Sequence, residues 1–127
     1  MHVKKFSNRH KGHISGWLNL RDLDEELVND LPELGFIAFN QEVAVGTMFL
    51  RDIEGNYAMI DSAITNPKAS PIVRDEAMDL LTDAILKEAK LLKIKKLLIF
   101  TRDPNVIARA TNWGFSVNKD VFMSKIP

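Results

Sequence analysis

The chain has 127 residues, 46% of them hydrophobic, which is enough for one domain with a substantial core and too few for two. Its 17 basic and 17 acidic side chains cancel and it has no cysteine, so composition argues against nucleic-acid and anionic-membrane partners and excludes disulfides, thiolate nucleophiles and cysteine metal sites. No apolar run is long enough to span a bilayer or to form a leader segment, so we expect a soluble, cytoplasmic protein.

The first third of the chain predicts one weak strand and two helices. The strand covers residues 1–6, although their alternation is poor. Ser7 or Asn8 caps a short helix whose inward face consists of Ile14, Trp17 and Leu18. Asp22 or Asp24 begins a second helix, with acidic residues near its positive end. The apolar stripe of this second helix consists of Leu23, Leu27, Val28 and Leu31.

Three consecutive strands follow, over residues 35–39, 43–51 and 57–65, because β-branched and aromatic residues are frequent there. Turns at residues 40–42 and 54–56 separate them, and Gly55 and Asn56 favour a tight reversal in the second turn. The three strands are therefore predicted to form an antiparallel meander.

A helix running from Pro71 to Leu92 is the clearest element of the sequence. Ser70 is placed as its N-cap, and Pro71 stands at the first helical position, where a missing N–H costs nothing. A strand, a loop and a helix N-terminus in this order make a natural anion site, because unpaired amides and the positive dipole end point at one spot. Residues at helical spacing predict one face buried on a sheet: Ala77, Leu80, Leu81, Ala84, Ile85, Ala89 and Leu92.

The last third predicts a buried strand over residues 95–101 and a short helix that begins at residues 103–105 and ends at Gly114. Val106, Ile107, Ala110 and Trp113 share one side of this helix. Residues 115–126 are predicted to hold two short strands around a turn at residues 118–120. Since there is no repeat, linker or low-complexity segment, we predict a single α/β domain over residues 1–127.

This order of elements, together with three short motifs, resembles the GCN5-related N-acetyltransferase (GNAT) family over nearly the full chain. The motifs are the step from Ile64 to Pro67 at a strand end, a short helix from Asn105 ending in Gly114-Phe115, and the ending Phe122-Met123-Ser124-Lys125. The resemblance implies an acyl-CoA N-acyltransferase fold, a mixed and mostly antiparallel sheet with helices on both faces. It also implies acetyl-CoA as co-substrate and a small-molecule or protein amine as acceptor.

The resemblance further implies a set of site residues. Asp61 would act as general base, and strand-end amides around Ile64 and Thr65 would hold the acyl group. The coenzyme would lie against Ser70, Ile72, Val73, Arg74 and Asn105. The pyrophosphate cradle departs from the family pattern of Arg or Gln followed by glycines, because those positions hold Ser70, Pro71, Val73 and Asp75.

The physical consequences of these departures all weaken the cradle. Pro71 removes an N–H donor, Val73 adds a branched side chain, and Asp75 adds a charge of the same sign as phosphate. Only Lys68 and Arg74 would compensate. The family tyrosine that protonates the departing thiolate is replaced by Ala110.

Two functions from different classes remain open on the sequence alone. The first is an acetyl-CoA-dependent N-acetyltransferase; the second is a catalytically inactive GNAT-fold binding or structural module whose partner is a protein. A third reading is an unrelated α/β module that lacks splayed fourth and fifth strands. A metal site at His2, His10 and His13 is disfavoured because no carboxylate is placed with them. We therefore expect no metal, and the oligomeric state is left open, with a homodimer among the options.

Overall fold

The computed structural model of the protein describes residues 1–127 and contains five strands and three α-helices. The strands are β1 (His2–Lys5), β2 (Leu34–Asn40), β3 (Val43–Ile53), β4 (Tyr57–Thr65) and β5 (Lys96–Leu98), and they lie side by side in this order in one sheet. The helices are α1 (Lys11–Leu20), α2 (Pro71–Leu91) and α3 (Pro104–Asn112). β1 to β4 pair antiparallel, and β5 pairs parallel to β4. The predicted meander and the mixed, mostly antiparallel sheet are confirmed.

Helix α1 covers one face of the sheet. Its apolar side, Ile14, Trp17 and Leu18, is buried as predicted. This side packs on Ile37, Phe39, Ala44 and Phe49 of β2 and β3. Alternation places Phe36 and Ala38 of β2 on the opposite face, in a second core.

Helix α2 covers that opposite face, and it begins as predicted with Ser70 as N-cap and Pro71 in the first turn. Its buried face is rotated from the predicted one, because Leu80 and Leu92 are exposed while Met78 and Thr82 are buried. The predicted face left out Thr82 because an apolar pattern does not count polar residues. Thr82 can be buried because its hydroxyl donates a hydrogen bond to the Met78 carbonyl at 2.8 Å, which leaves no polar group unsatisfied.

Three other predictions need correction. The predicted second helix is a 3-10 helix, Glu25–Asp30, with Asp24 as its N-cap, and Leu23 and Leu27 are half-exposed. A short 3-10 segment with half-exposed leucines at and before it buries little apolar area, so it has less to stabilise it than a full helix. The fifth strand is shorter than predicted and ends at Leu98.

The third correction concerns the chain after α3, which contains no strand. Val121, Phe122 and Ile126 have the apolar character of strand residues but are exposed. A strand exists only through a hydrogen-bonded neighbour, and β5 offers an edge of only three residues. Helix α3 ends at Asn112, and Gly114, with a φ of +94°, stops it as predicted. No helix of the structure combines the length and apolar character that crossing a bilayer requires.

Candidate active site

An irregularity in β4 shapes the candidate site. Thr47 of β3 faces Ile64 and Phe49 faces Asp61, so β4 contains one more residue than β3 between these pairs. Ser62 takes up the extra length with a φ of +51°, and its carbonyl accepts a hydrogen bond from the Thr47 hydroxyl at 3.3 Å. Such a bulge bends its strand and changes the direction of neighbouring groups. The last residues of β4, Ile64 and Thr65, therefore pair with β3 in a shifted register.

The pairing of β4 with β5 ends before this bulge. The two strands share three residue pairs, the last being Met59 with Leu98. β4 continues to Thr65, and from Ile60 onward no strand lies on its β5 side. This edge of β4, residues 60–65, is open in the sense that no strand pairs with it, although the Ser62 and Thr65 carbonyls already accept hydrogen bonds from Thr47 and Arg21. An extended ligand can bond to such an edge.

Asp61 lies in this part of β4, and both of its carboxylate oxygens already accept hydrogen bonds. One oxygen forms an ion pair with Nε of Arg51, and the other accepts from the Ser62 hydroxyl at 2.8 Å. Nη2 of Arg51 also donates to the Asp30 carbonyl at 2.6 Å. Asp61 is therefore held in one orientation beside the open edge, with its remaining lone pairs as acceptors.

The loop between β4 and α2 is tied to β3. The Asn66 amide donates to the Val45 carbonyl at 2.7 Å, and its side chain donates to the Ala44 carbonyl at 3.1 Å. The same side chain accepts from the Lys68 amide at 2.9 Å. These bonds hold the start of α2 next to the end of β4.

The N-terminus of α2 has few amides left for an anion. Pro71 has no N–H, and the Val73 amide donates to the Ser70 hydroxyl at 3.3 Å. The Arg74 amide donates to the Ser70 carbonyl at 2.9 Å, which leaves the Ile72 amide as the one without a protein acceptor. Ile72 is exposed, so this amide is accessible. The cradle therefore consists of one free amide with the side chains of Lys68 and Arg74 nearby in the chain.

Helices α2 and α3 border a cleft of about 460 Å³ that is lined by Asp75, Asp79, Arg109, Asn112 and Trp113. Asp75 and Arg109 form an ion pair across it. Asn105 lies in the first turn of α3, where its amide donates to the Asp103 side chain at 2.9 Å. Asp75 thus has a partner that the sequence did not indicate, and its charge is partly balanced.

Arg21 follows directly after α1 and reaches the end of β4. Its Nη1 donates to the Thr65 carbonyl and its Nη2 to the Thr65 hydroxyl, the latter at 3.1 Å. Burial, together with the nearby charge of Arg74, lowers the pKa of Arg21 below its ordinary value. The guanidinium stays charged at any physiological pH.

The structure brings Asp61, Ile64, Thr65 and Arg74 to one end of β4, with Ser70, Ile72 and Val73 in the adjoining turn of α2. Sequence reasoning missed Arg21, Arg51 and Arg109. The turn at residues 54–56 places Ile53 opposite Tyr57, and in this register Arg51 lies diagonally across from Asp61. The register of the predicted hairpin was therefore enough to indicate the ion pair of Arg51 with Asp61. Arg21 and Arg109 reach their partners through tertiary contacts that no local pattern shows.

The three histidines do not gather into a metal site. His2, His10 and His13 each lie with their rings against Phe39. His10 is buried, and its Nδ1 accepts a hydrogen bond from the Ser7 amide at 3.0 Å. Burial and the charges of Arg9, Lys4 and His13 lower the pKa of His10.

The acyl-CoA N-acyltransferase class of fold is defined by three features: a bulged fourth strand, its early separation from a parallel fifth strand, and a helix that starts at the end of the fourth strand. The protein has all three and thus has the GNAT fold. No family model and no curated protein sequence matches the chain. The structure is similar to a GNAT-family acetyltransferase from Streptococcus pneumoniae, with a TM-score of 0.76, 14% identity, and coverage of 99% of this chain and 97% of that one.

Two further solved structures are complexes with coenzyme A. One is an aminoglycoside N-acetyltransferase, with a TM-score of 0.68 and 14% identity, covering 99% of both chains. The other is a protein from Mycobacterium tuberculosis, with a TM-score of 0.69 and 12% identity, covering 87% of this chain and 70% of that one. The predicted GNAT-like fold is therefore confirmed, because the structure has the separated fourth and fifth strands that the third reading lacks.

Proposed function

We propose that the protein is an acetyl-CoA-dependent N-acetyltransferase acting on an amine. The observation that carries this proposal is the open edge of β4 from Ile60 to Thr65, which lies beside the start of α2 within a GNAT fold. The pantetheine arm of acetyl-CoA is an extended chain of amides, and such a chain pairs with a free strand edge through backbone hydrogen bonds. The coenzyme A complexes of two similar structures support the choice of ligand.

The reaction joins the acceptor nitrogen to the acetyl carbonyl carbon and breaks the carbon–sulfur bond of the thioester. A backbone N–H near Ile64 polarises the carbonyl. Asp61, through a water molecule, takes the proton that the nitrogen gives up. The departing thiolate takes a proton from solvent, because Ala110 provides no hydroxyl. The side chains that hold the coenzyme phosphates are Lys68 and Arg74, with the Ile72 amide, Ser70, Val73 and Asn105 as neighbouring contacts.

The role of Asp61 has a direct test in Asp61→Asn. The amide keeps the size of the side chain and an oxygen for Arg51, but it cannot take a proton. A general base contributes about 10²–10⁴ in rate, so kcat should fall by at least about a hundredfold while acetyl-CoA affinity is retained. Asp52→Asn, a neighbouring carboxylate on β3 that is exposed, serves as the matched control. A loss of less than about threefold would assign Asp61 a structural role with Arg51 only.

A second candidate function is a binding module without catalysis. Three observations favour it. The Val73 amide already donates to the Ser70 hydroxyl, and Pro71 has no N–H to offer a phosphate. Asp75 and Arg109 form an ion pair across the cleft between α2 and α3. In this case the chain would bind a protein partner and not acyl-CoA. The two functions differ first in whether acetyl-CoA binds.

Isothermal titration calorimetry with acetyl-CoA separates them. The wild-type protein should bind, and Asp75→Gly should bind more tightly, because the change removes a like charge beside the phosphates and opens the ion pair with Arg109. Removing one such charge near a phosphate is expected to improve affinity by roughly threefold to tenfold. Asp83→Gly is the matched control, since Asp83 lies on the same helix and pairs with Lys87 away from the cleft.

Binding would be followed by a thiol-release assay with a panel of amines. Absence of heat with both the wild type and Asp75→Gly, in protein whose folding is verified by circular dichroism, would rule out the transferase and favour the binding module. Equal improvement in Asp75→Gly and Asp83→Gly would show that helix flexibility, and not charge, controls the cleft.

A further inference from the structure

The strand β1 lies at one edge of the sheet, and its outer side is unpaired. It pairs only with β2, and none of the backbone hydrogen bonds made by loops and caps involves residues 2–5. Directly after β1, the Phe6 amide donates to the Gly35 carbonyl of β2 at 2.8 Å. Because inward and outward backbone groups alternate along an antiparallel ladder, the N–H and C=O groups of Val3 and Lys5 point away from β2. β1 therefore offers donors and acceptors to a further strand.

The part of the chain that contains this edge is strongly basic. The first acidic residue is Asp22, and five basic side chains precede it: Lys4, Lys5, Arg9, Lys11 and Arg21. Lys5 pairs with Glu88 of α2 at 3.8 Å. Lys4 and Arg9 are exposed, and neither takes part in an ion pair of the structure. The edge thus carries positive charge without a counter-charge.

The ring of Phe39 gathers polar side chains on the α1 side of β1. The His2 ring stacks on it with centroids 5.5 Å apart, and Nζ of Lys4 lies 4.8 Å from its centroid. His10 and His13, around the start of α1, place their rings 5.8 Å and 6.2 Å from the same ring. A cation against an aromatic face is stabilised there, so Lys4 is held in place beside the edge.

The charge of the edge selects among possible occupants. If both outward residues of β1 paired antiparallel with those of a second copy, Lys4 would lie directly opposite the Lys4 of that copy. Like charges directly opposite destabilise a sheet, and lysines on edge strands prevent such pairing. A nucleic acid has phosphates for the lysines, but it lacks the alternating amides that match the outward groups of Val3 and Lys5. An acidic polypeptide in extended form satisfies both the charge and the backbone.

We propose that β1 is a docking strand for an acidic segment of another protein, which adds to the sheet as a further strand. Backbone hydrogen bonds to Val3 and Lys5 hold the segment, and carboxylates at alternate positions lie beside His2 and Lys4 on the α1 side. Cross-strand neighbours have Cβ atoms about 4.5–5.5 Å apart, which is within reach of an ion pair. The residues between the carboxylates face the α2 side, where Val3 packs against the core, so they are apolar. This edge is opposite to β5, and the proposal does not depend on transferase activity.

The test titrates the full ¹⁵N-labelled chain with a short peptide in which glutamate alternates with valine, acetylated and amidated at its ends. The amide resonances of Val3 and Lys5 should shift most, and these two amides should exchange with deuterium more slowly, because they gain acceptors. A peptide with glutamine in place of glutamate should bind at least about fivefold less tightly, because its cross-strand ion pairs are lost.

Three variants separate the contribution of charge from that of the backbone, with circular dichroism as the check on folding. Lys4→Glu should weaken binding of the glutamate peptide by about tenfold, because an attractive cross-strand pair becomes repulsive. Lys96→Glu is the matched control, since Lys96 is exposed on β5, at the opposite edge of the same sheet, and it should leave binding unchanged. Val3→Pro removes an outward N–H at an edge position, where proline is tolerated, and should also weaken binding.

Three results would overturn the proposal. Absence of shifts at Val3 and Lys5, or shifts confined to residues 60–65, would show that the peptide does not bind β1. Unchanged binding in Val3→Pro with a loss in Lys4→Glu would show attraction by charge without an added strand. Tighter binding of an oligouridylate of the same length would assign the basic edge to nucleic acid.

Discussion

Gly35 offers the sharpest test of the packing beneath the candidate site. It lies in β2 opposite Phe49, and a Cβ built on it would overlap Cδ1 and Cε1 of the Phe49 ring and lie 2.8 Å from its Cγ. Phe49 is fully buried and packs edge-on against Phe6, with ring centroids 4.8 Å apart. The ring has no free space to move into, so Gly35→Ala forces a shift of the ring or of the strand.

The expected cost follows from what must move. Overpacking a well-filled core costs about 1–3 kcal/mol, and here the displaced group is a whole aromatic ring, so we expect a loss near the upper end of that range. Denaturant unfolding monitored by circular dichroism measures it directly. Because Phe49 also faces Asp61 in the sheet, the variant should lose transferase activity along with stability.

Gly16→Ala is the matched control, because Gly16 lies inside α1 and a Cβ there meets no atom within 4 Å. Alanine should stabilise that helix by about 0.5–1 kcal/mol. If Gly35→Ala were as stable as the wild type, the close approach of β2 to the Phe49 ring would be wrong, and with it the packing that supports β4 at Asp61.

Two further predictions concern the ends of helices. The pKa of His10 is lowered in the folded protein from 6.5, so just below pH 6.5 the unfolded chain binds more protons than the folded one. Stability should therefore be fullest above pH 6.5 and decrease as the pH falls through it. His10→Asn keeps an acceptor for the Ser7 amide and should make the thermal-unfolding temperature less dependent on pH. Ser70→Ala should cost about 0.5–2 kcal/mol of stability by removing the cap of α2, while the freed Val73 amide should tighten acetyl-CoA binding in calorimetry; a loss of both would contradict competition for that amide.

The sequence predicts well those elements whose signals are local. Ser70 and Pro71 mark the start of α2, and Gly55 with Asn56 marks the turn that sets the register of β3 and β4. Strand and helix periodicity then place α1 and α2 on the sheet. These signals depend on near neighbours in the chain, so they survive without knowledge of the tertiary structure.

What the sequence did not predict depends on distant contacts or, for Thr82, on a hydroxyl that an apolar pattern does not count. The buried face of α2 includes Thr82 because its hydroxyl finds an acceptor within the helix. The tail has no strand, despite apolar residues such as Phe122, because β5 is too short to serve as a partner. Arg21 and Thr65 are 44 residues apart, and Arg109 and Asp75 are 34 apart, so their pairing follows from the fold alone.

The short ladder between β4 and β5 also divides the molecule by local stability. The chain after Lys95 is joined to the sheet by three residue pairs and by a few apolar contacts such as Phe115, and to α2 by the ion pair of Arg109 with Asp75. Segments with so few cooperative bonds open without global unfolding, so the amides of α3 should exchange with deuterium faster than those of β3. A ligand seated between α2 and the chain after β5 would bridge the two parts, and its binding would be visible as slower exchange in α3.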